Sequence, residues 1–293
     1  MISSFHHSNF PAELLRERKR ETVTVVLPAR EVADTIGPIV DTLTSLNLID
    51  QVLVVDAASE DGTADRASSA GAEVHQESDL MTELGPVLGK GDAMWRALSV
   101  ARGDVVVYMD SDTRGFEGHF VCGLLGPLLL EEGIEFVKGS FRRPFAGESA
   151  DSPAGGGRVT ELMARPLLSA FYPDLAAFAQ PLAGEVAARR DLFERLPFAC
   201  GYAIETSMLL HARDLVGTEA MAQVDLDERR NRHQALEQLG PMAYAVLQVI
   251  LDRLRSEGRL LDGEVPPLQA ADGRVLQVEL IERPPLASLR ASA

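Results

Sequence analysis

The chain has 293 residues, of which 46% are hydrophobic and 25% are charged, a composition that is ordinary for a soluble globular protein. Its 44 acidic residues outnumber its 28 basic residues and give a formal net charge of −16, which argues against a nucleic acid or an anionic membrane as the partner. An anionic substrate remains compatible with this charge if basic side chains gather in one pocket.

The N-terminal segment, residues 1–21, is predicted to be helical and has no apolar stretch of signal-peptide length. We expect the part that contains His6 and His7 to be mobile and assign these histidines no metal-binding role. Residues 22–145 then alternate between apolar runs and helical patterns. Strands are predicted at Val23–Leu27, Gln51–Val55, Asp104–Met109 and Ile134–Lys138, and helices near Thr35–Leu46, Thr63–Ala70, Asp92–Ala101 and Phe120–Leu130. This alternation predicts an α/β fold whose mostly parallel sheet is flanked by helices.

The second half begins with AGESADSPAGGG at 146–157, a small, polar and glycine-rich stretch that is typical of a mobile loop. Residues 146–240 are predicted to form a smaller α/β part. Its predicted elements are helices near Val159–Ala170 and Ile204–Arg213 and a strand at Ala222–Leu226. Residues 241–293 are predicted to form a long helix near Pro241–Arg255 and a tail. From Gly258 on, this tail is expected to be extended and to pack weakly or against a partner subunit.

Two features of the whole chain indicate a cytoplasmic protein. Its two cysteines, Cys122 and Cys200, form neither a disulfide framework nor a zinc-binding pattern, so we expect reduced thiols in the core. No stretch approaches the roughly 20 apolar residues that a membrane-spanning helix needs.

The clearest candidate site follows the apolar run Val105–Met109, which ends in Asp110 and Asp112. A carboxylate is costly to bury without a partner, so both side chains should lie at the exposed carboxyl end of the strand, where open α/β sheets bind ligands. The spacing alone is weak evidence, because Asp225-Leu226-Asp227 repeats it. Asp56 also follows a strand, and the sequence leaves open whether it caps a turn or contacts a nucleotide base.

Two glycine-rich stretches are candidate anion sites. GPVLGKGD at 85–92 departs from the phosphate-binding loop pattern, but a lysine between two glycines at a helix start can place its ammonium beside a diphosphate, so Lys90 is a candidate. In GGGRVTEL at 155–162, a helix begins with Arg158 and Thr160 near its first turn. Amides at a helix N-terminus, a guanidinium and a hydroxyl together favour an anion site over a plain linker.

Two further segments admit both a structural and a functional interpretation. GYAIE places Tyr202 and Glu205 on one helix face, where they either pack or contact a ligand. DERRNRHQAL at 227–236 is either a solvated helix face or a mobile strap whose His233 or Asn231 reaches a metal and whose arginines contact phosphates. Asp225 and Asp227 are expected to pair with the arginines of this segment and therefore to be structural.

Taken together and in this order, several segments resemble the glucosyl-3-phosphoglycerate synthases, which are retaining glycosyltransferases of the GT-A fold. The resemblance runs from about Val23 to about Val246. It rests on VVLPA, GKGDAMWRAL, VVVYMDSD, GPLL, RRP, GGGRVTELMARPLL, QPLAGE, LPFACGYAIE and AQVDL. Each stretch is a weak signal alone, and nine in the same order make a strong one.

The resemblance implies roles for individual residues. Asp110, Asp112 and Lys90 would form the catalytic centre, in which Asp112 ligates Mg²⁺ or Mn²⁺ bound to the diphosphate of a sugar nucleotide. The sugar nucleotide would be bound by Pro28, Ala29, Glu31, Asp56, Ser59, Lys90, Asp110, Ser111, Leu182, Ala183, Gly184 and Glu205. The acceptor, 3-phosphoglycerate, would be bound by Gly157, Arg158, Thr160, Tyr202 and Asn231. A homodimer is also implied.

Two departures from the family pattern matter. After the first strand the family usually has Pro-Ala-Leu-Asn-Glu-Glu, whereas this chain has Pro-Ala-Arg-Glu-Val-Ala at 28–33, which leaves the nucleotide base open. A metal-binding histidine of the family aligns with Asn231, and His233 follows two residues later; we take His233 as the ligand. The expected activity is transfer of glucose from UDP-glucose to the 2-hydroxyl of 3-phosphoglycerate. The alternatives are a mannosyl-3-phosphoglycerate synthase that uses GDP-mannose, a sugar nucleotidyltransferase and a non-catalytic sugar-nucleotide-binding homologue.

Overall fold

The computed structural model describes residues 2–142, 157–229, 236–260, 268–269, 275–276 and 280–290. The strands are β1 Ser3–His6, β2 Val23–Ala29, β3 Gln51–Asp56, β4 Glu73–Gln76, β5 Val105–Tyr108, β6 Phe136–Arg142, β7 Val186–Arg189, β8 Phe198–Ala199, β9 Met221–Glu228, β10 Leu268–Gln269, β11 Val275–Leu276 and β12 Glu282–Arg283. The α-helices are α1 Ala12–Arg18, α2 Ala33–Ser45, α3 Thr63–Ser69, α4 Lys90–Ala97, α5 His119–Leu130, α6 Arg165–Phe171, α7 Arg190–Arg195, α8 Ile204–Val216, α9 Leu236–Ser256 and α10 Leu286–Arg290. A π-helical turn, Thr160–Ala164, leads into α6.

The eight-stranded central sheet has the order β1-β9-β6-β7-β5-β2-β3-β4. β7 runs antiparallel to both of its neighbours, and the other strand pairs in this sheet are parallel. The prediction of a mostly parallel sheet is therefore confirmed. Its eight strands come from all three of the predicted parts before residue 241, so these parts share one sheet.

The central strands form because their apolar side chains are buried on both faces of the sheet. Along β5, Val105 and Val107 pack with α2 and α5 on one face, and Val106 and Tyr108 pack with α4 and α8 on the other. Helix α5 is hydrophobic around most of its circumference and lies buried under β6 and β9. The two apolar layers hold the strands rigidly, so their carboxyl ends form a fixed frame for a site.

The N-terminal segment differs from its prediction. Ser3–His6 is not mobile or helical but forms β1, which pairs in parallel with β9 at the edge of the sheet, with His6 opposite Asp225. Phe10 is buried against α5, where Gly126 leaves room for its ring. The helix expected in this segment is the short α1.

The described part of the C-terminal tail packs firmly on its own chain, so the expectation of weak packing is wrong for these residues, and packing against a partner subunit stays a prediction. β12 pairs antiparallel with β8. Arg283 donates hydrogen bonds of 2.8 and 2.9 Å to the buried carboxylate of Asp92, and the indole of Trp95 donates to the carbonyl of Pro284 at 2.9 Å. In the described residues, no helix is both long and apolar enough to cross a membrane.

Candidate active site

The carboxyl ends of β2, β3 and β5 open onto a cleft of about 650 Å³. The turn before the π-helix, the start of α8 and one side of α9 close it opposite the sheet. The cleft is lined by most of the residues that the sequence singled out: Pro28, Ala29, Lys90, Asp110, Ser111, Asp112, Gly157, Arg158, Thr160, Leu182, Gly184, Tyr202 and Glu205. The candidate nucleotide, metal and acceptor residues of the described chain thus meet in one cavity.

The two aspartates after β5 are held by cationic side chains. Lys90 donates to Asp110 Oδ1 at 2.7 Å, and Arg229 Nη2 donates at 3.1 Å both to Asp110 Oδ2 and to Asp112 Oδ1. Burial alone would raise the pKa of Asp110, but Lys90 and Arg229 outweigh it and hold that pKa well below its usual value. Both oxygens of Asp110 are therefore engaged, whereas Asp112 contacts Arg229 through Oδ1 and its side chain is 43% exposed.

Arg229 is a site residue that the sequence analysis did not identify. Its side chain is fully buried, stacks over the ring of Phe141 at 5.0 Å and forms an ion pair with Glu185 as well as with the two aspartates. Burial disfavours its charge, but Glu185 and Asp110 raise its pKa above the ordinary arginine value. Arg229 therefore neutralises charge at the end of β5 and fixes the direction of the Asp112 side chain.

The glycines around Lys90 bring two segments unusually close together. Gly89 has a left-handed φ of +96°, and a Cβ atom on it would lie 3.3 Å from the Cα of Gly201. This approach places Glu205 within 3.0 Å of the Lys90 ammonium. Burial would lower the pKa of Lys90, but Asp110 and Glu205 raise it, so the ammonium stays charged.

The side of the cleft beyond Asp110 is formed by Leu182 and Gly184. A Cβ atom at Gly184 would overlap the Asp110 carboxylate, so any side chain there would displace this carboxylate from its contacts with Lys90 and Arg229. Behind this segment, the buried Lys138 donates to the carbonyl of Ala183 at 2.6 Å, and Ala183 itself points into the core instead of lining the cleft. Leu182 and Gly184 are therefore the cleft-lining residues of the predicted sugar-binding trio.

Three predicted nucleotide-binding residues form a network next to the cleft and do not line it. Asp56 is fully buried and accepts from the Ser59 amide at 3.0 Å, from the Ser59 hydroxyl at 2.6 Å and from Gln76 at 3.0 Å. The Ser59 hydroxyl in turn accepts from the Glu31 amide at 2.9 Å. The structure therefore favours the turn-capping role of Asp56, and contacts of these residues with a nucleotide base stay a prediction.

Four of the residues predicted to bind the acceptor line the cleft: Gly157, Arg158, Thr160 and Tyr202. Gly157 has φ +79° and accepts from the amide of Glu161 at 2.9 Å, which begins the π-helical turn. Tyr202 is 51% exposed, so most of its ring is available to a ligand. Asn231 and His233 lie outside the described residues, and their assignments stay predictions.

The residues after β5 fit a hard divalent cation. Their donor atoms are carboxylate oxygens, which Mg²⁺ and Mn²⁺ prefer. The positive guanidinium of Arg229 lies between the two aspartates, so this pair already stabilises a cation. Asp112 is the residue that would hold the metal, because it lines the cleft and its side chain is more exposed than that of Asp110.

The second Asp-x-Asp triplet has different partners from those expected. Asp227 contacts His7, with 2.6 Å between Oδ2 and Nε2, and Arg229 binds the first triplet instead. The prediction that Asp225 and Asp227 pair with the arginines after β9 is thus wrong for the described Arg229. Among the described arginines, Arg142 of β6 forms an ion pair with Asp227 at 3.7 Å.

Comparisons with known proteins agree with this geometry. The family model described as glycosyl transferase family 2 matches residues 24–155. A glucosyl-3-phosphoglycerate synthase from Mycolicibacterium paratuberculosis is 41% identical over 95% of this chain and 88% of its own length. The structure of a mannosyl-3-phosphoglycerate synthase from Rubrobacter xylanophilus is similar with a TM-score of 0.89 and 49% identity, covering 98% of this chain and 96% of that one.

A structure of the Mycobacterium tuberculosis glucosyl-3-phosphoglycerate synthase is similar with a TM-score of 0.88 and 38% identity, and covers 99% of both chains. That structure contains Mn²⁺, UDP-glucose and phosphoglyceric acid. The same enzyme is also known in complex with Mg²⁺ and UDP. The fold predicted for this chain is therefore that of known glycosyltransferases that bind these ligands.

Proposed function

The chain belongs to the glucosyl-3-phosphoglycerate synthase family, and we propose that it transfers a hexose from a sugar nucleotide to the 2-hydroxyl of 3-phosphoglycerate with retention of the anomeric configuration. It is a metal-dependent glycosyltransferase that uses Mg²⁺ or Mn²⁺. One observation carries the assignment: the Asp110–Asp112 strand end and the Gly157–Thr160 turn face the same cleft. A donor diphosphate and an acceptor phosphate can therefore be bound side by side.

The charge of the cleft explains why a metal is needed. Asp110, Asp112 and Glu205 line it, and a diphosphate that approaches these carboxylates is repelled. Lys90 and Arg229 offset part of this repulsion within the protein. A divalent cation on Asp112 would supply the remaining positive charge and stabilise the departing diphosphate.

Besides offsetting the charge of the carboxylates, Lys90 contributes to binding of the donor diphosphate. Its ammonium is fixed by Asp110 and Glu205 at the beginning of α4, and it lines the cleft. A cation that is held in place before the substrate arrives needs no reorganisation when charge develops on the leaving group. Lys90 therefore binds the donor diphosphate in this proposal.

The acceptor site combines a guanidinium with a hydroxyl. Arg158 and Thr160 lie on the first turn after Gly157, whose left-handed backbone brings this turn to the cleft. An arginine forms charge-assisted hydrogen bonds with phosphate, which are about twice as strong as neutral ones. We therefore assign the phosphate of 3-phosphoglycerate to Arg158 and Thr160, with Tyr202 beside the glycerate.

UDP-glucose is the favoured donor, because the curated relative described above is named as a glucosyl enzyme and the Mycobacterium tuberculosis structure contains UDP-glucose. GDP-mannose is a second candidate on a specific observation: the Rubrobacter xylanophilus mannosyl-3-phosphoglycerate synthase has the higher identity of 49%. The two readings share the fold, the metal and the acceptor, and differ in the sugar and the base.

A donor panel tests the proposal. The purified chain is incubated with 3-phosphoglycerate, Mg²⁺ or Mn²⁺ and, in turn, UDP-glucose, GDP-glucose and GDP-mannose, and the product and its anomeric configuration are determined by NMR. We expect a retained glycosyl-3-phosphoglycerate, formed fastest with UDP-glucose. A clear preference for GDP-mannose would replace the donor and keep the mechanism. No product with any donor would contradict the enzyme reading and favour a non-catalytic homologue.

The proposal also covers the cellular location and the oligomeric state of the protein. Cys122 and Cys200 are free thiols, and burial raises the pKa of each to about 11, which makes them unreactive. We infer a cytoplasmic enzyme from these unpaired thiols and from its phosphorylated substrates, and a homodimer from the family resemblance. Light scattering of the purified chain checks the second inference.

A further inference from the structure

A cluster of histidines lies at the edge of the sheet, outside the cleft. His7 Nε2 is 2.6 Å from Asp227 Oδ2, and His6 Nε2 is 3.5 Å from Asp227 Oδ1. One ligand atom from each of the three residues lies within 4.8 Å of the others. The cluster joins β1 to the end of β9, two residues before the Arg229 that binds the catalytic aspartates.

The side chains of this cluster are held by the surrounding structure. The His7 ring stacks on His119 with 4.3 Å between ring centres, and His119 Nε2 lies 3.2 Å from the carbonyl of Leu226. Asp227 has a left-handed φ of +66°, which is uncommon for a residue other than glycine. The parallel pairing of β1 with β9 places His6 opposite Asp225, and His7 follows in the next turn of the chain.

The distances match a metal site after a small adjustment. Ligands at about 2.0–2.1 Å from a tetrahedral Zn²⁺ are roughly 3.3 Å from one another. The His6–Asp227 distance of 3.5 Å already fits, and the His7–Asp227 distance of 2.6 Å would have to widen by a modest side-chain rotation. His6 Nδ1 accepts from the Ser8 amide at 3.2 Å, so Nε2 carries the ring proton, and this proton would be released when a metal binds there.

We propose that His6, His7 and Asp227 form a second metal site, which binds a transition-metal ion such as Zn²⁺. Two imidazoles and one carboxylate suit zinc, with water in the fourth position, and differ from the oxygen ligands that Mg²⁺ prefers. The partial exposure of all three side chains leaves a path for the ion. The competing cation is Arg142, which is 3.7 Å from Asp227 and 69% exposed, so a metal can displace it easily.

The bound metal ion would have a structural role. The bound ion would tie the edge strand β1 to the end of β9, which β1 otherwise contacts through backbone hydrogen bonds and side-chain packing. Since any ligand that binds only the folded state stabilises it, Zn²⁺ should raise the melting temperature. The effect is independent of the catalytic reaction.

The test measures binding of Zn²⁺ alone by calorimetry, together with the melting temperature. It uses the chain with Asp112→Ala, in which the catalytic metal ligand is removed. His6→Gln and His7→Gln are introduced into this background. The matched control is His75→Gln, because His75 lies on β4 at the opposite edge of the sheet, is similarly exposed and is paired with Glu73 at 2.9 Å.

We expect one saturable Zn²⁺ site that is weakened at least about tenfold by His6→Gln and by His7→Gln and is unchanged by His75→Gln. The same two substitutions in the otherwise unaltered chain should retain Mg²⁺-supported turnover, which shows that they fold. X-ray absorption of the zinc-loaded Asp112→Ala chain should detect two imidazole nitrogens, and this measurement needs no histidine variant. Absence of saturable binding, equal affinity in all variants, or a zinc shell without imidazole would overturn the proposal.

Discussion

The two Asp-x-Asp triplets have the same spacing and opposite surroundings. Asp110 and Asp112 follow a central strand and are bound by Lys90 and Arg229 at the mouth of the cleft. Asp225 and Asp227 lie near the sheet edge, where Asp227 contacts histidines. The spacing of a motif therefore does not specify its chemistry; the place of the motif in the sheet and the charges that face it do.

The ends of the strands explain the difference. β5 ends at Tyr108, so the whole first triplet lies in the loop beyond the carboxyl end, where the side chains are free to face the cleft. β9 continues to Glu228, so the second triplet lies within a strand. Leu226 is buried in the core and Asp225 is exposed, whereas at Asp227 the backbone leaves the regular strand with a φ of +66° and the register with β6 shifts.

The largest expected effect is the loss of turnover when an aspartate of the first triplet is replaced, compared with the same replacement in the second triplet. Asp112→Ala should reduce turnover by about a thousandfold or more, because stabilisation of the leaving diphosphate by a metal is worth several kcal/mol. Asp225→Ala, the control in the second triplet, should leave turnover near that of the unaltered chain, because Asp225 is exposed and does not line the cleft. Comparable losses in steady-state assays of both variants would show that the triplets are not distinct.

The second prediction concerns the two substrates of the cleft and distinguishes binding of the acceptor from binding of the donor. Arg158→Ala should raise the KM for 3-phosphoglycerate roughly ten- to a hundredfold, since a charge-assisted phosphate contact is worth about 1.5–3 kcal/mol. The KM for the donor should change much less. Arg165→Ala is the control. Arg165 is paired with Glu161, which lies one turn earlier in the chain, and it does not line the cleft. Equal weakening of both substrates would rule out this acceptor site.

The third prediction concerns residues just after the second triplet. If His233 completes the catalytic metal site, His233→Ala should raise the metal concentration for half-maximal activity about ten- to a hundredfold. It should also remove the dependence of activity on imidazole protonation near pH ~6.5. Metal titrations of His233→Ala and Asn231→Ala decide between the two residues. Normal metal dependence in the first and loss in the second would assign the ligand to Asn231.

The last prediction concerns stability and the buried Lys138 behind the first triplet. Burial lowers the pKa of Lys138 from 10.5 to about 8, although Glu205 and Glu185 oppose the shift. Between these two pH values the unfolded chain keeps the proton that the folded chain releases, so the free energy of unfolding should rise with pH. Relative to Lys138→Met, we expect a gain on the order of 3 kcal/mol across this range. Chemical denaturation of both proteins at several pH values measures it, and a constant difference would contradict it.

Much of the fold could be predicted because the central strands are continuous apolar runs that only a two-sided core can bury. β1 was missed because SSFH is short and half polar, and it forms only by pairing with β9, more than 200 residues later. β7, with its sequence VAAR, was missed because alanine has little strand preference and its antiparallel pairing depends on β5 and β6.

The site could be predicted where its residues share a strand end, as Asp110, Ser111 and Asp112 do. The role of Arg229 could not be predicted, because its partners lie 44 to 119 positions away in the sequence and only the sheet brings them close to it. The role of Asp56 could not be resolved either, since a cap and a base contact use the same residue type. The hydrogen bonds that Gln76 and Ser59 donate to the Asp56 carboxylate are seen only in the folded structure.

The most direct test of the difference between the two triplets is the binding of Mn²⁺ in the presence of UDP, measured by electron paramagnetic resonance. The account predicts that the unaltered chain and Asp227→Ala bind Mn²⁺ equally well with UDP and that Asp112→Ala loses this binding. Retention of nucleotide-dependent Mn²⁺ binding in Asp112→Ala, or its loss in Asp227→Ala, would contradict the assignment of the metal to the first triplet.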